Sequence, residues 1–257
     1  MPVEENLLVN PSFGEPYIKH QNEVKVAYGW GAYWSDGEEP PLEPSQGPTA
    51  KPEMRAATQP ERIMDGDAAQ LVFVRWKVMQ AGLYQSVQVP IGAIVTWQVY
   101  LHCWCSDSDD PTADDGELYA RIGVDVDGGE APWSEQVIGT EWMRLTNQYQ
   151  MLSMEFVAVN PVATVYVEVW NKWKLSHNDA YIDAASCTVQ VEPGPGPDPE
   201  SGQELRLYNA LEGESSIPLR GNVYVERDGA VVRVQDSRWV YWVPVAGLVV
   251  VKARSRE

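Results

Sequence analysis

Aromatic and hydrogen-bonding side chains gather on one face of several extended stretches of this sequence. VTWQVYLHCWC (95–105) alternates as a β-strand does, because successive strand side chains point to opposite faces. The apolar face predicts a core position for Trp97, Val99, Leu101, Cys103 and Cys105. The opposite face carries large aromatic and polar residues, namely Gln98, Tyr100, His102 and Trp104.

Three further stretches repeat this pattern: FVRWKV (73–78), LYARIGVDV (118–126) and TVYVEVW (164–170). Their apolar faces predict core positions for Val72, Val74, Trp76, Val78, Leu118, Ala120, Ile122, Val124, Val165, Val167 and Val169. The opposing faces present Arg75, Tyr119, Arg121, Tyr166, Glu168 and Trp170.

Flat aromatic rings beside planar hydrogen-bonding groups suit a polyhydroxylated ligand. Rings cover the C–H face of a sugar, while Arg, Glu, Gln and His address its hydroxyl groups. A face that is only solvated is richer in Ser, Thr, Lys and Glu. The alternative is that loops or the C-terminal segment bury this second face. We predict these ligand-binding residues: Arg75, Gln98, Tyr100, His102, Trp104, Tyr119, Arg121, Tyr166, Glu168, Trp170 and Trp34.

Trp34 enters this set from GWGAYWSDG (29–37), which we predict to be a Gly-flanked loop. Its aromatic residues, Trp30, Tyr33 and Trp34, are compatible with a binding platform or with a plug at the end of a sandwich.

Catalysis has little support. The sequence contains no G-x-S-x-G, H-E-x-x-H or P-loop motif. Glu168 and Asp125 form a conceivable glycosidase pair, but nothing fixes their separation. The aspartates of 107–115 fail the EF-hand pattern, because Pro111 takes the fifth position and no Gly follows. We therefore predict a protein that is not an enzyme.

The three cysteines, at 103, 105 and 187, are too few for a disulfide framework. We expect buried free thiols.

Charge and hydropathy exclude several partners. The net charge is −18, from 37 acidic residues against 19 Lys and Arg, and this repels nucleic acid and anionic membrane surfaces. No run approaches the roughly 20 apolar residues of a spanning helix. MPVEENLLVN (1–10) has no signal-peptide character, so either a leader was trimmed or synthesis is cytoplasmic.

Short alternating runs separated by Gly, Pro, Asp and Asn predict an all-β fold. EPGPGPDPESG marks a Pro/Gly linker at 192–202, between a domain at 1–191 and a small β-rich C-terminal domain at 203–257. The acidity belongs to the first part: residues 201–257 hold seven acids and eight bases, and the first 200 hold 30 and 11. In the tail, VYVERDGAVVRV predicts a hairpin turning at Asp228-Gly229, and RWVYWVPVAGLVVVKAR predicts two more strands.

Four segments resemble a known family. NLLVNPSFGEPY (6–17), AGLYQSVQVPIG (81–92), RIGVDVDGGEAPWSEQV (121–137) and HNDAYIDAASCTVQV (177–191) resemble galactose-binding-like modules. These are related to the carbohydrate-binding modules of glycoside hydrolases and of bacterial surface or phage structural proteins, and the resemblance spans about 6–191. It implies a non-catalytic, antiparallel jelly-roll β-sandwich. It also implies a structural calcium at Glu15 and Asp183, although Gly14 holds the position directly after Phe13.

Two functions remain open. The first is a glycan- or polysaccharide-binding module on an aromatic–polar sheet face. The second is a structural protein of a phage virion or surface assembly, in which the C-terminal domain pairs with copies of itself or with other assembly proteins. Both predict an extracellular or virion-surface location.

Overall fold

The structure is a computed structural model that describes residues 6–37 and 46–189, together with the backbone of five strands between 203 and 244. The chain forms two compact units, Met1–Gln190 and Val191–Glu257. The strands of the first unit are β1 (Tyr17–Gln21), β2 (Val24–Ala27), β3 (Gly31–Trp34), β4 (Glu53–Ala57), β5 (Ala69–Val74), β6 (Gln80–Gln88), β7 (Ile94–Ser106), β8 (Leu118–Asp125), β9 (Val137–Gly139), β10 (Met143–Arg144), β11 (Gln150–Val157), β12 (Val162–Asn171) and β13 (His177–Val189), with one 3-10 turn at Pro60–Arg62.

These strands build two facing sheets. The first sheet has the order β1-β2-β4-β5-β13-β7-β11. The second sheet has the order β10-β8-β12-β6-β3, and β9 pairs with β8. Every pairing of these strands is antiparallel except that of β2 with β4.

Nested pairing defines the topology. β5 pairs with β13, β6 with β12, β7 with β11 and β8 with β10, so the chain folds as one long hairpin rolled into two sheets. This arrangement is the jelly roll. The predicted all-β, antiparallel jelly-roll sandwich is therefore confirmed.

The apolar strand faces meet between the sheets. Trp97, Val99, Leu101, Cys103 and Cys105 are each 0% exposed, as the alternation predicted. The apolar faces of β8 and β12 are buried in the same core cluster, and all three cysteines are free and buried.

Two expectations about tryptophan-containing segments were wrong. Trp76 is 60% exposed, because β5 ends at Val74 and the chain turns before Trp76 reaches the core. The GWGAYW segment is largely the edge strand β3 rather than a loop, and Trp34 packs against the core instead of standing on the outer face.

The second unit contains a two-stranded sheet of β14 (Gln203–Asn209) and β15 (Gly213–Leu219). A three-stranded sheet joins β16 (Tyr224–Asp228), β17 (Val231–Gln235) and β18 (Val240–Pro244). The antiparallel pairing of β16 with β17 matches the predicted hairpin. The predicted linker at 192–202 and the strand expected after β18 lie outside the described residues. Within the described part of the chain, no helix is long and apolar enough to cross a membrane.

Candidate functional site

The predicted ligand-binding residues do not share one face. Gln98, Tyr100, His102 and Trp104 lie on the outer side of the first sheet, whereas Tyr119, Arg121, Tyr166, Glu168 and Trp170 lie on the outer side of the second. Arg75 lies in the exposed segment after β5, where its charge acts on Asp179, the residue that pairs with Trp104 in the first sheet. The sandwich therefore separates the set into two surfaces, because β7 belongs to one sheet and β8 and β12 to the other.

Loops cover part of the first outer face. Arg62, 4% exposed, reaches over β7: its Nη1 lies 2.9 Å from His102 Nε2, and its Nη2 donates to the Pro111 carbonyl at 2.8 Å. The guanidinium also lies 4.9 Å from the Tyr181 ring. Burial, followed by the Arg62 charge, lowers the pKa of His102 to about 4. His102 is thus a neutral, buried residue, and the structure does not leave it open to a ligand.

Trp104 is half-buried beside these loops. Its ring stacks on that of His177 with 3.5 Å between centroids, and the His177 Nε2 lies 3.2 Å from Asp109. Gln98 and Tyr100 are partly exposed, and the Gln98 amide donates to the Ser153 hydroxyl at 3.1 Å. This face is therefore partly closed, as the alternative interpretation of the sequence allowed.

Asp179, which is 8% exposed, gives this face a pH dependence. Burial raises its pKa from 3.8 to about 6, against the lowering influence of His177 and Arg75. The ionised form is thus disfavoured in the folded state above pH 6, and the penalty disappears as pH falls through 6 towards 3.8.

We expect the unfolding free energy of Asp179→Asn, taken relative to that of the wild type, to be roughly 2 kcal/mol higher at pH 8 than at pH 4. The reason is that two pKa units correspond to about 2.7 kcal/mol. Urea denaturation of both proteins at each pH measures this difference. Comparing the two proteins cancels the opposite effect of His102, which removes stability as pH falls from 6.5 towards 4. An effect of Asp179→Asn that has the same size at both pH values would contradict the assignment.

The outer side of the second sheet is richer in aromatic residues and has a charged centre. We call it the aromatic face; its members are Tyr33, Gln80, Tyr84, Tyr119, Arg121, Trp133, Trp142, Tyr166, Glu168 and Trp170.

Glu168 is the centre of this face and only 3% exposed. Its Oε1 accepts hydrogen bonds from Gln80 Nε2 at 2.6 Å and from Trp133 Nε1 at 2.9 Å. Its Oε2 accepts from Arg121 Nε and Nη2, both at 2.7 Å. Four donors saturate the carboxylate, so it acts as an anchor that fixes three neighbouring side chains.

Those neighbours include exposed rings. Trp133 is 44% exposed, although its indole N–H is held by Glu168. The Arg121 guanidinium lies 4.7 Å from the ring of half-buried Trp142. Both indoles are thereby held in position next to a planar cation while keeping ring surface open to solvent.

Two glycines let tyrosine rings lie close to the sheet. Gly31 faces Tyr84 and Gly82 faces Tyr33 across neighbouring strands. A Cβ at Gly31 would clash with the Tyr84 ring, and one at Gly82 would clash with the Tyr33 ring. The Tyr84 ring also stacks on that of Tyr166, at 6.1 Å. The missing side chains therefore make room for the aromatic face.

Trp170 adds an unpartnered donor. It is 2% exposed, its ring stacks on Tyr119 at 5.2 Å, and Trp142 meets it edge-on at 6.3 Å. Its buried indole N–H has no hydrogen-bond partner among the described residues. Buried polar groups are normally satisfied, so this N–H is an exception within the aromatic face.

A cleft of about 390 Å³ continues the face at its β3 side. Tyr84 and Ser86 of β6 line it, together with Glu130 from the connection between β8 and β9, Val9 from the N-terminal segment and His20 of β1. The Ser86 hydroxyl donates to Glu130 at 3.3 Å. The arrangement joins flat rings, hydroxyls and a carboxylate on one surface.

The sequence pattern missed half of this face. Tyr119, Arg121, Tyr166, Glu168 and Trp170 were predicted and are brought together. Tyr33, Gln80, Tyr84, Trp133 and Trp142 were not among the predicted ligand-binding residues. Alternation along GLYQS (82–86) carries a signal for Tyr84, but Trp133 and Trp142 lie in connections where no periodicity applies.

The two predicted calcium ligands differ in burial and in hydrogen bonding. Asp183 is 0% exposed, and its carboxylate accepts amide hydrogen bonds from Met64 at 2.7 Å, Asp65 at 3.1 Å and Ala184 at 2.7 Å. Glu15 is exposed and accepts from the Tyr17 amide at 3.0 Å. Calcium takes six to eight oxygen ligands. Residues 6–37 and 46–189 contain no group of three or more His, Cys, Asp or Glu that could hold a metal ion, and a calcium at Glu15 and Asp183 stays a prediction.

The conceivable glycosidase pair is also separated. Asp125 pairs with Thr164, whereas Glu168 lies four residues further along β12. Four strand residues span about 13 Å, beyond the roughly 5–9.5 Å between carboxyl groups of glycosidase pairs. The two acids do not form such a pair.

The chain was compared with protein-family models, curated proteins and solved structures. No protein-family model and no curated protein matches the chain. Among solved structures, it is similar to TmCBM61 in complex with β-1,4-galactotriose, with 13% identity, 72% of this chain and 99% of that chain covered, and a TM-score of 0.47. It is also similar to the CBM22-1 xylan-binding domain from Paenibacillus barcinonensis Xyn10C, with 12% identity, 72% and 95% coverage, and a TM-score of 0.42.

A third similar structure is bacteriophage CBA120 tailspike protein 4, with 9% identity, 72% of this chain and 21% of that chain covered, and a TM-score of 0.40. Similarities of this size carry no information about the ligand of this chain, which has to be inferred from its own side chains.

Proposed function

We propose that the first unit is a non-catalytic carbohydrate-binding module and that the aromatic face binds the glycan. The observation that carries the proposal is the fixed pair of open indoles, Trp133 and Trp142, beside Arg121. Rings held in place lose little conformational freedom when a ligand docks, and preorganisation of this kind favours binding. The proposed location is extracellular or on a virion surface.

The chemistry of the face matches a polyhydroxylated ligand. The indole surfaces suit sugar C–H groups, while the cleft residues Ser86 and Glu130 offer a donor and acceptors for hydroxyls. Saturation of Glu168 by four donors supports a positioning role for this acid rather than proton transfer.

Affinity electrophoresis in gels containing neutral galactan, xylan or β-glucan tests the proposal. We expect at least one polysaccharide to retard the full chain. Trp142→Ala and Trp133→Ala are each expected to weaken retention about tenfold, equivalent to about 1.4 kcal/mol. Ile91→Ala, at a residue 66% exposed and outside the aromatic face, is the control and should bind as the wild type does.

If no polysaccharide retards the chain, the second candidate function is favoured, a structural role in a virion or surface assembly. The observation behind it is the small second unit, whose described strands form a two-stranded and a three-stranded sheet. Such small sheets are marginal alone and are suited to pairing with another chain. No retention on any neutral polysaccharide, together with a stable oligomer in light scattering, would contradict the glycan proposal and support assembly.

A further inference from the structure

A second surface of the first unit combines basic and aromatic residues. Two tripeptides of similar composition, Arg75-Trp76-Lys77 and Lys172-Trp173-Lys174, follow β5 and β12. They hold four of the 11 Lys and Arg residues among the first 200, in a stretch that has 30 acids. We call these two segments the basic loops.

Hydrogen bonds hold the basic loops side by side. The Trp76 amide donates to the Leu175 carbonyl at 2.8 Å. The amide group of Asn171, which is 0% exposed, donates to the carbonyls of Lys77 at 3.0 Å and Trp173 at 2.7 Å. Its Oδ1 accepts from the Met79 amide at 2.7 Å. A buried side chain therefore fixes the distance between the two loops.

Trp76 is exposed at an energetic cost. Its φ of 57° lies in the left-handed region, which bulky residues rarely adopt, and 60% of its surface is open to solvent. Neither packing nor backbone preference explains a tryptophan here. Strained residues of this kind cluster where a protein contacts a ligand.

Three of the four cations in the basic loops are exposed. Lys172 is paired with Glu117 at 3.1 Å and lies 4.7 Å from the Trp173 ring, whose N–H donates to the same carboxylate. Arg75, Lys77 and Lys174 are exposed, and none of them has an ion pair within 4 Å among the described residues.

Several acids of the neighbouring elements adjoin the basic loops. Asp107 accepts from the Ser176 amide at 2.8 Å, and Asp109 faces His177. Asp179 is buried. The basic loops thus present three exposed cations on a strongly acidic protein, beside acids that hydrogen bonds or burial fix in position.

We propose that the basic loops form a second saccharide site, specific for a polysaccharide that carries carboxylate or sulfate groups. Trp76 contacts a sugar ring, and Arg75, Lys77 and Lys174 bind its anionic groups, with the Arg75 guanidinium able to bind them bidentately. Glu117 links the two surfaces, because it accepts from Tyr119 of the aromatic face and from Lys172 and Trp173 of the basic loops, but the proposed contacts of the second site are not members of the aromatic face.

Binding of the full chain to polygalacturonate, dextran sulfate and neutral dextran tests this, at 0.15 M salt, where long-range repulsion is screened beyond about 8 Å. We expect one or both anionic polymers to bind and dextran not to bind. Preference for polygalacturonate would assign a carboxylate, and preference for dextran sulfate a sulfate. The double variant Arg75→Ala/Lys77→Ala should lose at least tenfold in affinity.

Two comparisons make the test decisive. Lys19→Ala/Lys25→Ala removes the same charge from exposed positions on β1 and β2 and should change affinity less than twofold. Trp76→Gly removes the ring and relieves the backbone, so it should raise the urea midpoint while reducing binding at least tenfold. The proposal would be overturned by equal losses of affinity in both double variants or by unchanged binding in Trp76→Gly. It would also be overturned if the wild type bound neither anionic polymer, or if only its oligomeric state changed.

Discussion

Glu168→Ala is expected to destabilise the first unit by about 3 kcal/mol and to abolish retention on neutral polysaccharide. The change removes the acceptor of four hydrogen bonds and leaves the Arg121 charge unpaired. Breaking a buried ion pair from one side costs about 3–5 kcal/mol, and the partly exposed Arg121 places this case at the lower end.

The loss of binding has a separate cause. Without the carboxylate, neither the Trp133 indole nor the Arg121 guanidinium is held in position, so the rings lose their preorganisation. Urea denaturation followed by circular dichroism measures the stability, and affinity electrophoresis of the folded variant measures the binding.

A surface ion pair supplies the control. Glu23 pairs with Lys51 at 3.5 Å, and its side chain is 62% exposed. Glu23→Ala should cost less than about 0.5 kcal/mol, because exposed pairs contribute little. Equal effects of the two variants would show that Glu168 does not anchor the face.

Trp97→Ala is expected to cost about 4 kcal/mol, the largest loss from any single change considered for this protein. Trp97 is 0% exposed, and its ring lies 6.3 Å from that of Trp30. Its indole N–H donates to the Tyr166 carbonyl at 3.2 Å and so links β7 in the first sheet to β12 in the second. Removing a buried aromatic side chain leaves a cavity and costs about 3–5 kcal/mol.

A graded series separates packing from hydrogen bonding. Trp97→Phe keeps most of the ring and loses the N–H, so we expect a loss of about 1–2 kcal/mol. Ile91→Ala, at an exposed position, should stay within about 0.5 kcal/mol of the wild type. Denaturation followed by circular dichroism gives all three values, and a Trp97→Ala loss below about 1 kcal/mol would contradict the central role of this residue.

Strand alternation predicted much of the fold because it is a local property. A period of two assigns each residue of β7, β8 and β12 to a face, and the requirement to bury the aliphatic face determines which side is core. The prediction was wrong for Trp76, because nothing in FVRWKV marks where the strand ends. There the chain takes a left-handed turn that alternation cannot describe.

The candidate site was only half predictable for the same reason. Arg121, Glu168 and Trp170 follow from alternation, but the pairing that places Arg121 opposite Glu168 joins residues 47 positions apart. Trp133 and Trp142 enter the face from connections, and their positions depend on contacts made after the sheets have formed.

The sequence alone determined that this chain is an acidic, all-β protein with a defined set of core residues and two kinds of strand face. Only the tertiary structure decided that the two sets of outer residues lie on different sheets, that Arg62 closes over His102, and that Trp133 and Trp142 remain open beside Arg121. The physical reason is that alternation acts between neighbouring residues. Exposure of an outer face depends instead on which distant loops pack against it, and those contacts exist only in the folded chain.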